Sequence, residues 1–285
     1  AHFALGLQRS ITLHSGARGR DRRIAAYSVH GLQAKRATVN ADSASSAPSM
    51  FGRDAELDLA RAWFRAQPSD APIFYVQAEA GGGKSRLLHA IGKEGATLGL
   101  RVAYGQCDED YLSAPLQPMV QLARALAMED GPNGDLWALQ QQIRGVIIDA
   151  ARQSPLLMVI DDWQWADDAT KRMVEQCLTS ARGQIRLLVA SRTDDPGLEG
   201  RRPEWTLGLP PLAKAAAAAM VGVLVPHFDP QRVRKIYGLS GGNPLLIEEL
   251  CRDPEFAQAD APDEKVSFRV AAVVERRLAA MPPDV

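Results

Sequence analysis

Three consecutive glycines, Gly81 to Gly83, stand between an apolar pentapeptide and a Lys-Ser pair that opens an amphipathic segment. The pentapeptide, Ile73 to Gln77, has the composition of a short buried strand, and apolar residues recur at helical spacing after Lys84. Glycine tolerates the left-handed backbone conformations that a tight turn from strand to helix requires. The feature therefore predicts a strand, a glycine turn and a helix, which together are a unit of parallel α/β proteins.

The same turn has the composition of a phosphate-binding loop (P-loop). Backbone N–H groups around such a turn can converge on an anion, and the helix that follows adds the positive end of its dipole. In these loops a lysine reaches the β- and γ-phosphates, and a hydroxyl binds Mg²⁺. We therefore expect ATP or ADP with Mg²⁺, held by Ala78, Glu79, Ala80, Gly81, Gly82, Gly83, Lys84, Ser85 and Arg86.

One position departs from the usual loop, because Ala78 stands where such loops commonly have their first glycine. Alanine is small, so the departure is mild. The alternative interpretation, a chance glycine turn with an exposed lysine, does not account for the strand before the loop and the helix after it.

A pair of aspartates, Asp161 and Asp162, ends the uninterrupted apolar run Leu156 to Ile160. Such a run predicts a strand that is buried on both faces, and ligands of α/β sheets bind at the carboxyl ends of the strands. We expect Asp161 to join Ser85 in holding Mg²⁺, through water, and Asp162 to polarise the attacking water. A strand that ends in a solvated turn is the alternative, and the preceding glycine loop argues against it.

Three weaker features lie further along the chain. Another apolar run, Leu187 to Ala190, leads through a serine to Arg192, and a cation there could detect a γ-phosphate or be an ordinary surface arginine. Gly241 to Pro244 marks a turn with proline in the first turn of a helix, which by itself is only a helix start. Trp163 and Trp165 follow the aspartates, where core packing, a platform for the base and a partner surface are all open, with packing favoured.

Composition divides the chain into four parts. Residues 1–36 are basic, with seven Lys or Arg against one acid, and residues 37–49 have the small polar composition of a flexible linker. Alternating strands and helices predict a parallel sheet flanked by helices, a nucleotide-binding domain over 50–209. The absence of a convincing strand after Pro210 predicts a smaller helical lid domain over 210–285.

The individual elements follow from the same patterns. Besides the strand at 73–77 and the helix that begins near Lys84, we expect strands at 100–104, 156–160, 185–190 and 205–209. We expect further helices at 54–66, 116–127, 135–151, 212–225, 229–238, 244–252 and 267–280.

Bulk properties narrow the function classes. The net charge of -1 over 285 residues does not favour a polyanion partner, and no apolar run approaches the ~20 residues of a membrane helix. Three scattered cysteines give neither a disulfide framework nor a metal-ligand spacing, which favours the reducing cytoplasm. The chain does not begin with Met, so we expect a piece of a longer protein.

Five motifs in this order resemble the STAND class of P-loop ATPases (signal-transduction ATPases with numerous domains). They are Phe51-Gly52-Arg53-Asp54, the glycine loop, Asp161 to Asp167, Ser191 to Asp195 and Gly241 to Pro244. Over residues 50–285 the chain looks similar to the bacterial regulatory type with an AAA-like ATPase domain. One departure is that the acids are followed by Trp-Gln-Trp, where the family has Leu-His-Trp.

The resemblance implies a P-loop NTPase fold with an extra strand between the loop strand and the acid strand. It also implies that Arg53 lies close to the nucleotide, that Arg192 is the phosphate sensor and that Pro244 packs on the adenine. Members continue into a winged helix, which would begin where this chain stops. Residues 25–32 are also similar to the tail of a class III nucleotidyl cyclase domain.

The function expected from this resemblance is a cytoplasmic switch in a larger bacterial regulator, one that binds ATP, hydrolyses it slowly and then self-associates or engages a partner protein. A nucleotide-binding scaffold without turnover and the ATPase module of a cyclase-linked regulator are the alternatives. DNA would be bound only through modules absent from this chain, and no membrane contact is expected.

Overall fold

The computed structural model describes residues 50–66, 73–108, 115–128, 136–193, 197–198, 202–225 and 229–252. The basic segment 1–36, the linker 37–49 and the helix expected at 267–280 lie outside the described residues. The division between a domain over 50–209 and a lid over 210–285 stays a prediction.

The described residues form five strands and eight α-helices, and the expected elements within them are confirmed. The strands are β1 (Ile73–Gln77), β2 (Arg101–Gln106), β3 (Leu156–Asp161), β4 (Ile185–Ser191) and β5 (Trp205–Gly208). The helices are α1 (Asp54–Arg65), α2 (Lys84–Thr97), α3 (Gln117–Ala125), α4 (Leu136–Gln153), α5 (Asp168–Ser180), α6 (Lys214–Leu224), α7 (Pro230–Ser240) and α8 (Pro244–Arg252). A short 3₁₀ turn, Trp163–Trp165, joins β3 to α5.

Helix α5 was not anticipated in the sequence. Its local signal is an N-cap: the Asp167 side chain accepts a hydrogen bond from the Thr170 backbone N–H. Helix α7 begins in the same manner, with Asp229 accepting from the Gln231 N–H and Pro230 in the first turn. Both helices thus start where a short acidic side chain satisfies an otherwise unpaired backbone donor.

The strands form one parallel sheet in the order β2-β3-β4-β1-β5. Strand β4 lies between β1, which leads into the glycine loop, and β3, which ends in the aspartates. The extra strand implied by the family resemblance is therefore present. Because all five strands run the same way, the residues that follow β1, β3 and β4 meet at one edge of the sheet.

Helices cover both faces of this sheet. One face packs Trp63 of α1 and Leu87 of α2 against Phe74 and Leu188, and these side chains are fully buried. The other face packs α3, α4 and α5, with Met119 and Ile147 among its fully buried residues. Burial on both faces explains why the central strands are continuous apolar runs in the sequence.

A third hydrophobic cluster belongs to α6, α7 and α8, and Met220, Ile236 and Ile247 are its buried centre. Phe51 packs on the same cluster from the start of the described chain. Gly52 comes so close to α6 that a Cβ added there would meet the Ala216 Cβ at 2.3 Å. Within the described part of the chain, none of the helices combines the length and apolar character needed to cross a bilayer.

Candidate nucleotide-binding site

The glycine loop joins β1 to α2 as a tight turn. Gly81 and Gly83 have φ angles of 77° and 94°, which lie in the left-handed region that favours glycine. Gly83 is the N-cap of α2, and no described side chain caps the helix there. The first N–H groups of α2 therefore face the loop, and together with the helix dipole they form an electropositive cradle.

Lys84 is folded back over this loop and is only 7% exposed. Its Nζ donates to the carbonyl oxygens of Ala78, at 2.9 Å, and Glu79, at 3.2 Å. Burial lowers the pKa of Lys84, and the Arg192 charge lowers it further, while Asp162 and Asp161 act in the opposite direction. An anion in the cradle would supply the negative charge that this buried ammonium group favours.

Ser85 and Asp161, the two residues expected to hold Mg²⁺, are in direct contact. The Ser85 hydroxyl donates to Oδ2 of Asp161, while Oδ1 of Asp161 accepts from the Asp162 N–H at 2.9 Å. A hydroxyl and a carboxylate are hard oxygen ligands of the kind Mg²⁺ binds, with water completing its octahedron. The donor set at the end of β3 therefore fits Mg²⁺.

Asp162 adopts a left-handed conformation, with φ 52° and ψ 43°, which is uncommon outside glycine. The conformation follows directly after β3 and starts the 3₁₀ turn. Trp163, in that turn, is 2% exposed and packs in the core, while Trp165 packs against the same cluster. The two tryptophans thus anchor the turn that holds the Asp162 backbone.

Sequence reasoning missed two amides beside Asp162. Gln164 Nε2 donates to Oδ1 of Asp162 at 3.0 Å, and Gln106 Nε2 approaches Oδ2 at 3.5 Å. Gln164 also accepts from the Arg192 N–H, at 3.1 Å, and from the Ser191 hydroxyl, at 3.3 Å. The only signal in the sequence was the glutamine itself, which takes the place of the histidine in the resembling family.

A cleft of about 270 Å³ brings the expected residues together. Asp162 and Arg192 line it from the sheet edge, and Lys84, Ser85 and Arg86 line it from the start of α2. Helix α8 closes the opposite side with Pro244, Leu245 and Glu248. Arg192 is exposed, so its guanidinium can reach a group bound in this cleft.

Helix α8 rests directly on the glycine loop. Asn243, which precedes it, donates from Nδ2 to the Ala80 carbonyl at 3.0 Å. A Cβ added to Gly81 would lie 2.7 Å from Cδ2 of Leu245. Arg86 and Glu248 form an ion pair at 3.6 Å across the same boundary. In this structure the loop region and α8 are thus joined by a hydrogen bond, an apolar contact and an ion pair.

A second cavity of about 470 Å³ lies beside the cleft. Ala78, Glu79 and Gly82 of the loop form one wall, and Pro210 and Pro244 stand among the residues that line the rest. Pro244 borders both cavities, so a nucleotide could place its phosphates in the first and its nucleoside in the second.

Arg53 is 6% exposed and is held by two contacts. One nitrogen donates to Glu56 at 2.9 Å, and the other donates to the Gly82 carbonyl at 3.3 Å. The arginine therefore contacts the backbone of the glycine loop. That it also lies close to a bound nucleotide stays a prediction.

The geometry of this site agrees with the protein family that the sequence matches. Residues 49–190 match the family model described as AAA ATPase domain. This segment is an AAA ATPase domain. No curated protein matches the chain.

Solved structures with the same fold include two that bind DNA. The ORC1 protein of Aeropyrum pernix in complex with DNA is 15% identical, with a TM-score of 0.57 over 82% of this chain and 70% of that chain. Drosophila ORC bound to DNA is 12% identical, with a TM-score of 0.55 over 82% and 69%. At these identities the matches show the fold alone, which is that of P-loop ATPases.

A third match is a STAND protein with a tetratricopeptide repeat sensor from Pyrococcus horikoshii, 18% identical over 78% of this chain. This chain spans 32% of the length of that protein, and the TM-score is 0.48. A match of this quality does not establish the STAND class, which remains a prediction for the AAA ATPase domain.

Proposed function

We propose that this AAA ATPase domain is a nucleotide-dependent switch of the STAND type, a module of a larger bacterial regulator. It binds ATP or ADP with Mg²⁺, hydrolyses ATP slowly, and changes the position of α6–α8 with the nucleotide. One observation supports this most: α8 packs on the glycine loop and lines the cleft in which phosphates would bind.

In this proposal the backbone of Ala78 to Arg86 surrounds the phosphates, and Lys84 neutralises their β- and γ-charges. Ser85 and Asp161 would hold Mg²⁺, which when bound would supply positive charge beside the transferred phosphoryl group. Asp162 accepts a proton from the attacking water. Each role falls to a residue that already lines or borders the cleft.

The nucleoside is assigned to the second cavity, where Pro244 contacts the adenine from the side of α8. Arg53 acts through its hydrogen bond to Gly82 and keeps the loop in its binding conformation. Arg192 contacts the γ-phosphate and so distinguishes ATP from ADP. Pro244 and Arg192 thus touch opposite ends of one nucleotide.

The switch follows from charge in the cleft. Glu248 of α8 lines the same space as Lys84 and Arg192, and its partner Arg86 is itself next to the loop. A γ-phosphate would repel the Glu248 carboxylate and compete for Arg86. ADP is therefore compatible with the closed position of α8, while ATP favours its release.

Release of α8 would expose the surfaces that allow self-association or the binding of a partner protein. Moving such an equilibrium from 1:99 to 99:1 requires a differential affinity of about 5.5 kcal/mol. Three contacts between α8 and the loop region can change with the nucleotide and so contribute to this free energy. They are the Asn243 hydrogen bond, the Leu245 contact and the Glu248 ion pair. Slow hydrolysis then returns the domain to the ADP state.

Binding is tested with Lys84→Ala. Wild-type protein should gain thermal stability on addition of ATP and Mg²⁺, because a ligand that binds only the folded state stabilises it. The variant should lose this gain, since it lacks the lysine whose positive charge binds the phosphates. An equal gain in both proteins would refute the phosphate assignment.

Hydrolysis is tested with Asp162→Asn, which keeps the shape of the side chain and removes the base. Steady-state phosphate release should be slow in the wild type and fall to background in the variant. Equal background rates in both would leave nucleotide binding in place and replace the switch by a scaffold without turnover.

The charge argument is tested with Glu248→Gln and the matched control Glu249→Gln. Glu249 lies on the same helix turn and its only ion pair among the described residues is with Arg252, at 3.9 Å. Glu248→Gln should lower the Kd for ATP relative to that for ADP, and the control should not, as measured with fluorescent nucleotides. The same ratio in both variants would contradict the proposed repulsion.

A further inference from the structure

A single glutamine joins the two strand ends that the proposed reaction depends on. Gln164 lies in the 3₁₀ turn after β3, and it contacts both the Asp162 carboxylate and the backbone that follows β4. The contacts are at 3.0 Å to Asp162 and at 3.1 Å to the Arg192 N–H. The amide therefore sets the relative position of the acid and the arginine.

The two ends of this amide are not interchangeable. Oε1 accepts from two donors, the Arg192 N–H and the Ser191 hydroxyl, while Nε2 donates to a carboxylate oxygen. If the amide were turned over, its N–H groups would face the Arg192 N–H and its oxygen would face the carboxylate. Both contacts would then be repulsive, so one orientation is fixed.

The backbone around Gln164 is also fixed. Trp163 is buried in the core, Trp165 packs against it, and the Trp165 N–H donates to the Asp162 carbonyl at 3.0 Å. Asp162 itself has the uncommon φ of 52°, a backbone conformation that persists where the surrounding contacts hold it. Gln106 approaches the same carboxylate only at 3.5 Å, which is a weaker contact.

We propose that Gln164 is a positioning residue of the ATPase reaction, which holds the Asp162 carboxylate and the Arg192 backbone in one arrangement around the γ-phosphate. This inference rests on the proposed function. The acceptor atom of Gln164, Oε1, governs the discrimination of ATP from ADP through Arg192. Its donor end governs hydrolysis by orienting the oxygen of Asp162 that accepts the proton.

Two variants of similar size separate these ends. Gln164→Met removes both contacts. Gln164→Glu keeps an acceptor for the Arg192 N–H but replaces the donor to Asp162 with a second negative charge. Gln141→Met, at an exposed position on α4, is the matched control. Thermal unfolding of each protein confirms that the variants fold.

The first measurement is the ratio of the dissociation constants for ATP and ADP. Gln164→Met should raise this ratio about tenfold, since a misplaced contact to a reacting group typically costs one to two orders of magnitude. Gln164→Glu should raise the ratio only through repulsion of the γ-phosphate by its new charge, so its increase should shrink at high ionic strength, while that of Gln164→Met should not. Combined with Arg192→Ala, Gln164→Met should produce no further increase, because both act through one interaction.

The second measurement is steady-state phosphate release, which should fall about 10- to 100-fold in both Gln164 variants and stay unchanged in the control. An equal loss of ATP and ADP affinity in Gln164→Met, or an effect on the ratio that adds to that of Arg192→Ala, would overturn the inference. If wild type itself releases no phosphate above the Asp162→Asn background, the proposed turnover fails. The affinity ratio then still decides the role of Gln164.

Discussion

Asn243 offers a way to loosen α8 from the glycine loop without unfolding either. Its side chain makes two hydrogen bonds with different roles. Nδ2 donates to the Ala80 carbonyl at 3.0 Å, and Oδ1 accepts from the Leu245 N–H at 3.1 Å. The second contact caps the N-terminus of α8. Asn243→Asp keeps this cap, since aspartate is as good an N-cap as asparagine, and removes only the donor to Ala80.

The magnitudes follow from these contacts. A hydrogen bond of this kind contributes about 0.5–1.5 kcal/mol net, so its loss should weaken closure of α8 by that amount in Asn243→Asp. The carboxylate would also face a carbonyl oxygen, which adds to the effect. Asn243→Ala loses the cap as well, at about a further 1 kcal/mol. At 1.4 kcal/mol per tenfold change, the first variant should release nucleotide about 2- to 12-fold faster.

Stopped-flow dissociation of a fluorescent ADP analogue measures this rate, and thermal unfolding measures the loss of the cap. Asn243→Asp should accelerate ADP release while leaving the melting temperature close to that of wild type. Asn243→Ala should accelerate release and also lower the melting temperature. Unchanged ADP release in Asn243→Asp would refute the idea that the contact between α8 and the loop retains the nucleotide.

Two further predictions concern the stability of the fold. Arg186 donates to the carbonyls of Trp63 and Ala66 at the end of α1, both at 3.0 Å, so Arg186→Met should lower the free energy of unfolding by about 2 kcal/mol in urea titrations. An unchanged urea midpoint would contradict this role. Burial raises the pKa of the Cys177 thiol from 9.0 to about 12, so the folded chain keeps a proton that the unfolded chain loses in this range. Stability should therefore fall as pH rises above 9, by up to about 1.4 kcal/mol per pH unit for this thiol, and Cys177→Ala should flatten the slope.

Much of the sheet could be predicted because its signals are local. Each central strand is buried on both faces, so it had to be a continuous apolar run, and Ile73–Gln77 and Leu156–Asp161 stood out for that reason. The glycine loop could be predicted for a similar reason, since the left-handed φ angles at Gly81 and Gly83 favour glycine over other residue types. The ends of the strands were predicted less accurately. Strand β2 ends at Gln106, two residues beyond the expected end, because its last residues alternate between buried and exposed and so do not form an apolar run.

The resemblance supplied the strand order that local patterns could not. It implied one strand between β1 and β3, and the sheet has β4 there. Helix α5 was not predicted from the sequence, although the Asp167 side chain, which accepts a hydrogen bond from the Thr170 N–H, is an ordinary N-cap signal. The roles of Arg53, Arg192 and Pro244 stay predictions, now with named contacts against which they can be tested.

By itself, the sequence predicted which residues would bind phosphate and metal, because that chemistry depends on residue type and on the spacing within one loop or one strand end. Only the tertiary structure decided which of them act together. Gln164 meets Arg192 because parallel strands β3 and β4 are neighbours, and Asn243 meets Ala80 because α8 folds back onto the loop. These contacts join residues far apart in the chain, and a hydrogen bond between such residues leaves no periodic trace in the sequence.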